Sequence, residues 1–300
     1  MQMKNFFRTA ACAVLFLSLA ASCNRNAGPM KTDSFQREDS TAHVRLSFDI
    51  ELPAGNTPVS GTVRTKLLEI LDSRLGFATS YEGDRIVPAF SGDKAGTDAV
   101  AGHYFTGLLS ALGKQADADV AERLSYMQED ESFTEEDKAN FLAEVPGWEY
   151  EYTLKKVDET PGYVIFQSQD YTYLGGAHGG VGGDGCLTFS MKDGSFVGHL
   201  VDRSQEKAMQ PLLIAGMLRY YKEFDVEMTQ DELLDNLMIE DRTIPLPGWE
   251  PYPTADGLVF TYQQYEIASY AEGMPSFTVP FDEITPFLTP EAKAILSTAK

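Results

Sequence analysis

The sequence predicts an α+β fold, with antiparallel hairpins and segregated helices, and three observations predict it. Residues His43 to Leu52 alternate polar and apolar side chains with period two, the pattern of a strand with one buried face. Val63, Leu67, Leu71 and Leu75 recur four apart, which puts one apolar stripe on a helix. From Trp148 onward, strand-like runs bracket turn residues without a regular strand–helix–strand rhythm. A hydrophobic content of 43% and an aromatic content of 11% are those of a folded globule.

In chain order, residues 1–22 read as an export signal. Lys4 and Arg8 give a positive start, and Ala10 to Ala21 form an apolar run too short for a bilayer, which needs roughly 20 residues. The run ends Leu19-Ala20-Ala21-Ser22-Cys23, a relaxed lipobox, so Cys23 is the expected site of lipidation and the lipid anchor the expected membrane attachment. Asn24 after that cysteine resembles outer-membrane sorting, and the expected location is the cell envelope, at the outer membrane or facing the periplasm. Residues 23–41 are polar and aperiodic and read as a lipidated flexible tether.

The body divides into an N-terminal α+β region, 42–149, and a C-terminal domain, 150–300. In the first, the strand near 43–52 precedes a helix near 59–75, a longer helical stretch over 95–127 and a short helix ending near Glu144. In the second, Glu149 to Val157 and Tyr163 to Tyr173 form a hairpin across Thr160-Pro161-Gly162. A glycine-rich loop follows, then a hairpin of Cys186 to Met191 with Ser195 to Leu200. Helices over 204–224 and 229–239, strands over 258–262 and 276–281, and a closing helix over 290–298 complete the chain, with Thr229 capping the second helix and Pro290 starting the last.

Charge and residue usage exclude several functions. The net charge of −21 becomes about −23 once the signal leaves, so nucleic acid is repelled and a cationic protein attracted. Cys12 leaves with the signal and Cys23 is committed to lipid, so Cys186 has no disulfide partner. His43, His103, His178 and His199 are scattered without metal-ligand spacing, so neither metal nor cofactor is implied. Gly179 to Leu187 fits one calcium-binding nonapeptide, but that motif builds a site only in stacked copies. His178, with Asp170 and Asp184 nearby in sequence, fits either a catalytic base or a ring that holds its loop. No nucleophile motif accompanies it, and no catalytic residue is assigned. Pro146-Gly147-Trp148-Glu149 recurs as Pro247-Gly248-Trp249-Glu250, where each Trp is either a core anchor or a platform for sugar.

Two stretches are distinctive. One is Tyr171-x-Tyr173-x-Gly175-Gly176-Ala177-His178-Gly179, followed by Asp193-Gly194 and a helix. The other is Phe260-x-x-x-x-Tyr265-Glu266-Ile267-Ala268-x-Tyr270-Ala271-x-Gly273. Tyr262, Tyr265 and Tyr270 there suit either a recognition surface or a tie between the connection and the sheet. Together these stretches resemble the domain family typified by the extracellular part of RsiV, a lysozyme-responsive anti-sigma factor. The same module precedes the catalytic domain of PdaC-type peptidoglycan deacetylases. The resemblance covers roughly residues 150–285, with 42–149 as the PdaC-like companion region. Ser269 stands where many members have proline, and Gln263-Gln264 replaces an Asn-Pro-like pair.

Neither a sigma-binding segment nor a deacetylase domain is read in the sequence, so the resemblance implies a noncatalytic binding module of the envelope. Its expected partner is a secreted cationic protein such as lysozyme, or peptidoglycan. Two alternatives are a glycan-active hydrolase using His178 and a carboxylate, and a carbohydrate-binding lipoprotein using Trp148 or Trp249.

Overall fold

A computed structural model describes residues 28–80, 83–130, 132–144 and 147–298, with the side chains of 143–144 left out. The export signal and Cys23 lie outside the described residues. The mixed α+β architecture is the one expected, built on a five-stranded and a three-stranded sheet.

The first sheet has the order β1 (Thr32–Ser40), β2 (Val44–Pro53), β3 (Trp148–Glu159), β4 (Tyr163–Tyr173), β5 (Gly180–Ser190). In β2 every second residue from Val44 to Leu52 is buried, as its alternation demands. β1 corrects the expectation of a flexible tether. Its residues are polar on both sides, which hides a strand from pattern reading, yet it pairs antiparallel with β2 along its whole length. It is an edge strand held by backbone bonds, with Phe35 set edge-on to Phe105.

β2 and β3 are parallel, so the sheet is mixed where antiparallel hairpins were expected. The crossover that a parallel pair requires is helical: α1 (Pro58–Gly76), α2 (Thr97–Glu129) and α3 (Glu135–Glu144). Thr57 caps α1 by accepting a hydrogen bond from Ser60 N at 3.1 Å, with Pro58 in the first turn. The expected stripe Val63, Leu67, Leu71, Leu75 is fully buried against the sheet. The proposed boundary at 149/150 falls inside β3, because β3 to β5 continue the sheet that β1 and β2 begin.

The rest of the chain packs on the opposite face. α4 (Glu206–Glu223), α5 (Gln230–Asn236), the short α6 (Phe281–Ile284) and α7 (Pro290–Thr298) surround the antiparallel sheet β6 (Tyr252–Pro253), β7 (Gly257–Thr261), β8 (Ser276–Pro280). Thr229 and Glu232 form a capping box on α5. Two hydrophobic cores therefore share one sheet, and β4 shows how. Val164 and Phe166 enter the core under α1 and α2, while Tyr163 and Ile165 enter the other.

Two further expectations are corrected. The glycine-rich run is not all loop, since β5 begins at Gly180, and Ser195 to Leu200 makes only a single bridge, Phe189 with Phe196. Cys186 is free and buried, and burial pushes its thiol up to about 12. No described helix is long and apolar enough to cross a membrane.

Candidate functional site

The two distinctive stretches, 87 residues apart between His178 and Tyr265, meet in space. β4 ends at Tyr173, and the chain turns through Gly175, at φ +74°, before starting β5. The turn lifts His178 onto the surface. The second stretch is the connection between β7 and β8, and two carboxylates organise it. Glu266 accepts from Gln263 N at 2.7 Å and from Gly248 N at 2.6 Å, which fixes the first bend. Glu272 closes a capping box with Ser269 around the one-turn helix that carries Tyr270, and Gly273 ends it at φ +76°. Burial works against the Glu272 charge, but bonds from Ser269 and Tyr221 hold its carboxyl below the usual value. Tyr220 of α4 buttresses the same turn by donating to Glu272 O at 2.7 Å.

These supports bring His178, Tyr265 and Tyr270 together. His178 stacks on Tyr270 with ring centroids 3.9 Å apart, and its Nε2 lies 3.1 Å from the Tyr265 hydroxyl. Its Nδ1 lies 3.0 Å from Gly179 O. A carbonyl only accepts, so Nδ1 carries the proton and, in the neutral ring, Nε2 accepts from Tyr265. Gln264 ties the two stretches again, its Oε1 accepting from Val181 N at 3.0 Å. Tyr171 and Tyr173 extend the aromatic edge along β4, opposite Glu151 and Glu149 of β3. The Tyr171 hydroxyl is pushed up by partial burial and then by Glu149, Tyr270 and Glu151. The edge is therefore aromatic at its centre and acidic beside it.

Tyr265 is the unusual member. It is 52% exposed, yet its backbone sits at φ +64°, in the left-handed region that a bulky residue seldom occupies. Such a conformation costs of the order of 1–3 kcal/mol, and here no burial of the ring offsets it.

The remaining motif residues divide by role. Glu266, Gly175 and Gly273 shape the backbone. Gly176 is exposed with open space around it, and nothing in the structure explains a glycine there. Tyr262 is not part of the surface; it is fully buried and donates to Pro245 O at 2.8 Å. His178 does not meet Asp170 or Asp184. Asp170 alternates with Tyr171 and points through the sheet, and Asp184 pairs with Arg74 of α1 at 2.8 Å.

Trp249 is buried, donating from Nε1 to Gly183 O at 3.0 Å, so it is a core anchor. Gly185, at φ +68°, lets that ring lie flat on β5; an added Cβ would stand 2.8 Å from Trp249 Cγ. Trp148 is half-buried at the start of β3. No group of three or more His, Cys, Asp or Glu among the described residues is placed to hold a metal ion.

An α+β body with an exposed aromatic edge carried on two sheets defines the class of protein, and known proteins share that body. Residues 221–282, from the end of α4 to the start of α6, match a family described as proteins of unknown function, DUF3298. The matched segment holds the Tyr265 and Tyr270 half of the edge but not the His178 half. The crystal structure of a DUF3298 family member from Bacteroides fragilis NCTC 9343 is similar over 91% of this chain and 100% of its own, at a TM-score of 0.62 and 16% identity. That of a DUF3298 family protein from Pseudomonas aeruginosa PAO1 is similar over 88% of this chain and 97% of its own, at a TM-score of 0.52 and 14% identity. At these identities the likeness is one of fold. No curated protein matches the chain.

Proposed function

We propose that this protein is a lipid-anchored envelope module of the RsiV and PdaC type that acts by binding, and that it captures a secreted cationic protein, with lysozyme-type enzymes the leading partner. The observation that carries this reading is Tyr265, a strained and half-exposed ring braced by His178 and Tyr270. Strain that packing does not repay is characteristic of sites where a side chain must be presented. Tyrosine offers a large rigid area with a polar tip, the property that suits it to protein recognition. Glu149 beside the edge, on a chain of net charge −21, favours a basic partner and a fast, salt-sensitive encounter, while Glu151 is already paired with Arg45.

Lysozyme binding to the full-length protein at low and moderate salt tests the proposal. Binding that weakens as salt rises is expected, with Tyr265→Ala reducing affinity at least tenfold, about 1.4 kcal/mol. No binding at low salt sinks it. The anchor is tested separately: the mature N-terminus should begin at an acylated Cys23, and Cys23→Ser should release the body from membranes.

A further inference from the structure

On the opposite face of β4 from the aromatic edge lies a polar cleft of about 300 Å³, between the C-terminal end of α1 and strands β3 to β5. Arg74, Phe77, Thr79, Tyr150, Asp170 and Asp184 line it. Its chemistry follows from which groups are already partnered. Arg74 donates from Nε and Nη2 to Asp184 at 2.9 and 2.8 Å, and from Nη2 to Gly183 O at 2.7 Å. Ser168 donates to Asp184 Oδ2 at 3.0 Å. Asp184 is thus neutralised and saturated, and Arg74 keeps Nη1 for the cleft.

Asp170 is different. Only Thr172 donates to it, at 3.4 Å, and burial raises its carboxyl above the usual range although Arg74 opposes the rise. Tyr150, which lines the cleft, is 3% exposed as a residue, and no described group bonds its hydroxyl, which is therefore free for a guest. Thr79 on the rim sits at φ +60°, a conformation that a β-branched residue seldom adopts.

Hydrogen-bonding capacity selects the ligand. Arg74 and Asp184 offset each other's charge, and the groups left over are one acceptor, Asp170, and two donors, Tyr150 and Arg74 Nη1. They suit a neutral molecule that donates hydroxyls to Asp170 and accepts from Tyr150 and Arg74 Nη1. The volume stands at the lower end of small-molecule pockets, about 300–1,000 Å³, which suits one ring better than a chain of them. We infer that this cleft is a binding site for a single neutral pyranose unit, held by Asp170, Tyr150 and Arg74.

The inference does not depend on the partner proposed above, because the cleft and the aromatic edge lie on opposite faces of β4. Saturation-transfer NMR on the full-length protein, with methyl α-glucoside, methyl α-mannoside, methyl β-galactoside and N-acetylglucosamine as probes, tests it. At least one sugar should bind in the millimolar range. Tyr150→Phe and Asp170→Asn should each weaken that binding tenfold or more. Tyr150→Phe removes an oxygen that bonds nothing in the described protein, so its melting temperature should stay at or above that of the wild type. No binding by any of the four sugars, or binding that both variants leave unchanged, overturns the inference. Phosphate or methylammonium binding in place of sugar, lost in the same variants, overturns it equally.

Discussion

One glycine-rich segment serves two aromatic contacts, and they differ in kind. Around Gly183 and Gly185, Trp249 is buried, hydrogen-bonded and pressed on the backbone of β5. A few residues earlier, His178 meets Tyr270 and Tyr265 in the open. Glycine and aromatic residues occur in both places, so composition does not separate a structural contact from a presented one. Burial and strain do. Trp249 pins the chain before β6 to β5, whereas Tyr265 sits in an unfavourable conformation without the burial that would repay it.

Four predictions press on this difference. Trp249→Ala should be the most damaging, costing about 3–5 kcal/mol in a denaturant melt, because it leaves a cavity over Gly185 of β5 and removes a bond to the Gly183 carbonyl. A loss below 1 kcal/mol would place Trp249 outside the scaffold. Gly185→Ala comes next, at about 1–3 kcal/mol, since it sets a Cβ against Trp249 in a left-handed conformation. Tyr265→Gly should move the other way. It relieves strain and loses no buried contact, so the melting temperature should rise, by an amount equivalent to about 1 kcal/mol, while lysozyme binding falls. A variant both less stable and unable to bind would turn Tyr265 into a structural residue.

The smallest effect concerns Asp170. Its folded pKa lies above the ordinary 3.8, so its contribution to stability is fully present below the unfolded value and is lost as pH rises through the folded value. Asp170→Asn should therefore melt higher than wild type at pH 7, with the gap narrowing as pH falls toward 3.8. A gap that is constant with pH would deny the burial of this carboxylate.

Much of the fold is legible wherever a side-chain pattern reflects one buried face. β2, α1 and the capped α5 lie close to where alternation, four-residue spacing and the Thr229 cap put them. β1 was hidden because an edge strand exposed on both sides needs no apolar alternation, only a neighbour with free backbone groups. β5 was hidden because its glycines read as a loop, although Gly185 serves to let Trp249 approach the strand. Of the candidate site, the motif residues were visible, but their division into support and surface was not. Tyr262 and Tyr265 are three apart, one sealed and one exposed, and only the path of the chain after β7 decides which. The cleft left no local signal at all. Arg74, Tyr150, Asp170 and Asp184 are ordinary residues on four elements, and only the crossover through α1 and α2 assembles them.

The strand Thr32–Ser40 has a last consequence, for distance. With the acyl chains at Cys23 as proposed, the leash ends at Met30, which is buried in the first core and bonded through its N to Glu159. Seven residues at full stretch reach roughly 25 Å, well under half of what an unstructured run to residue 41 would allow. The body is then confined to a thin layer above the lipid headgroups and can tilt but not roam. Any partner must come to within about one protein diameter of the bilayer to meet it.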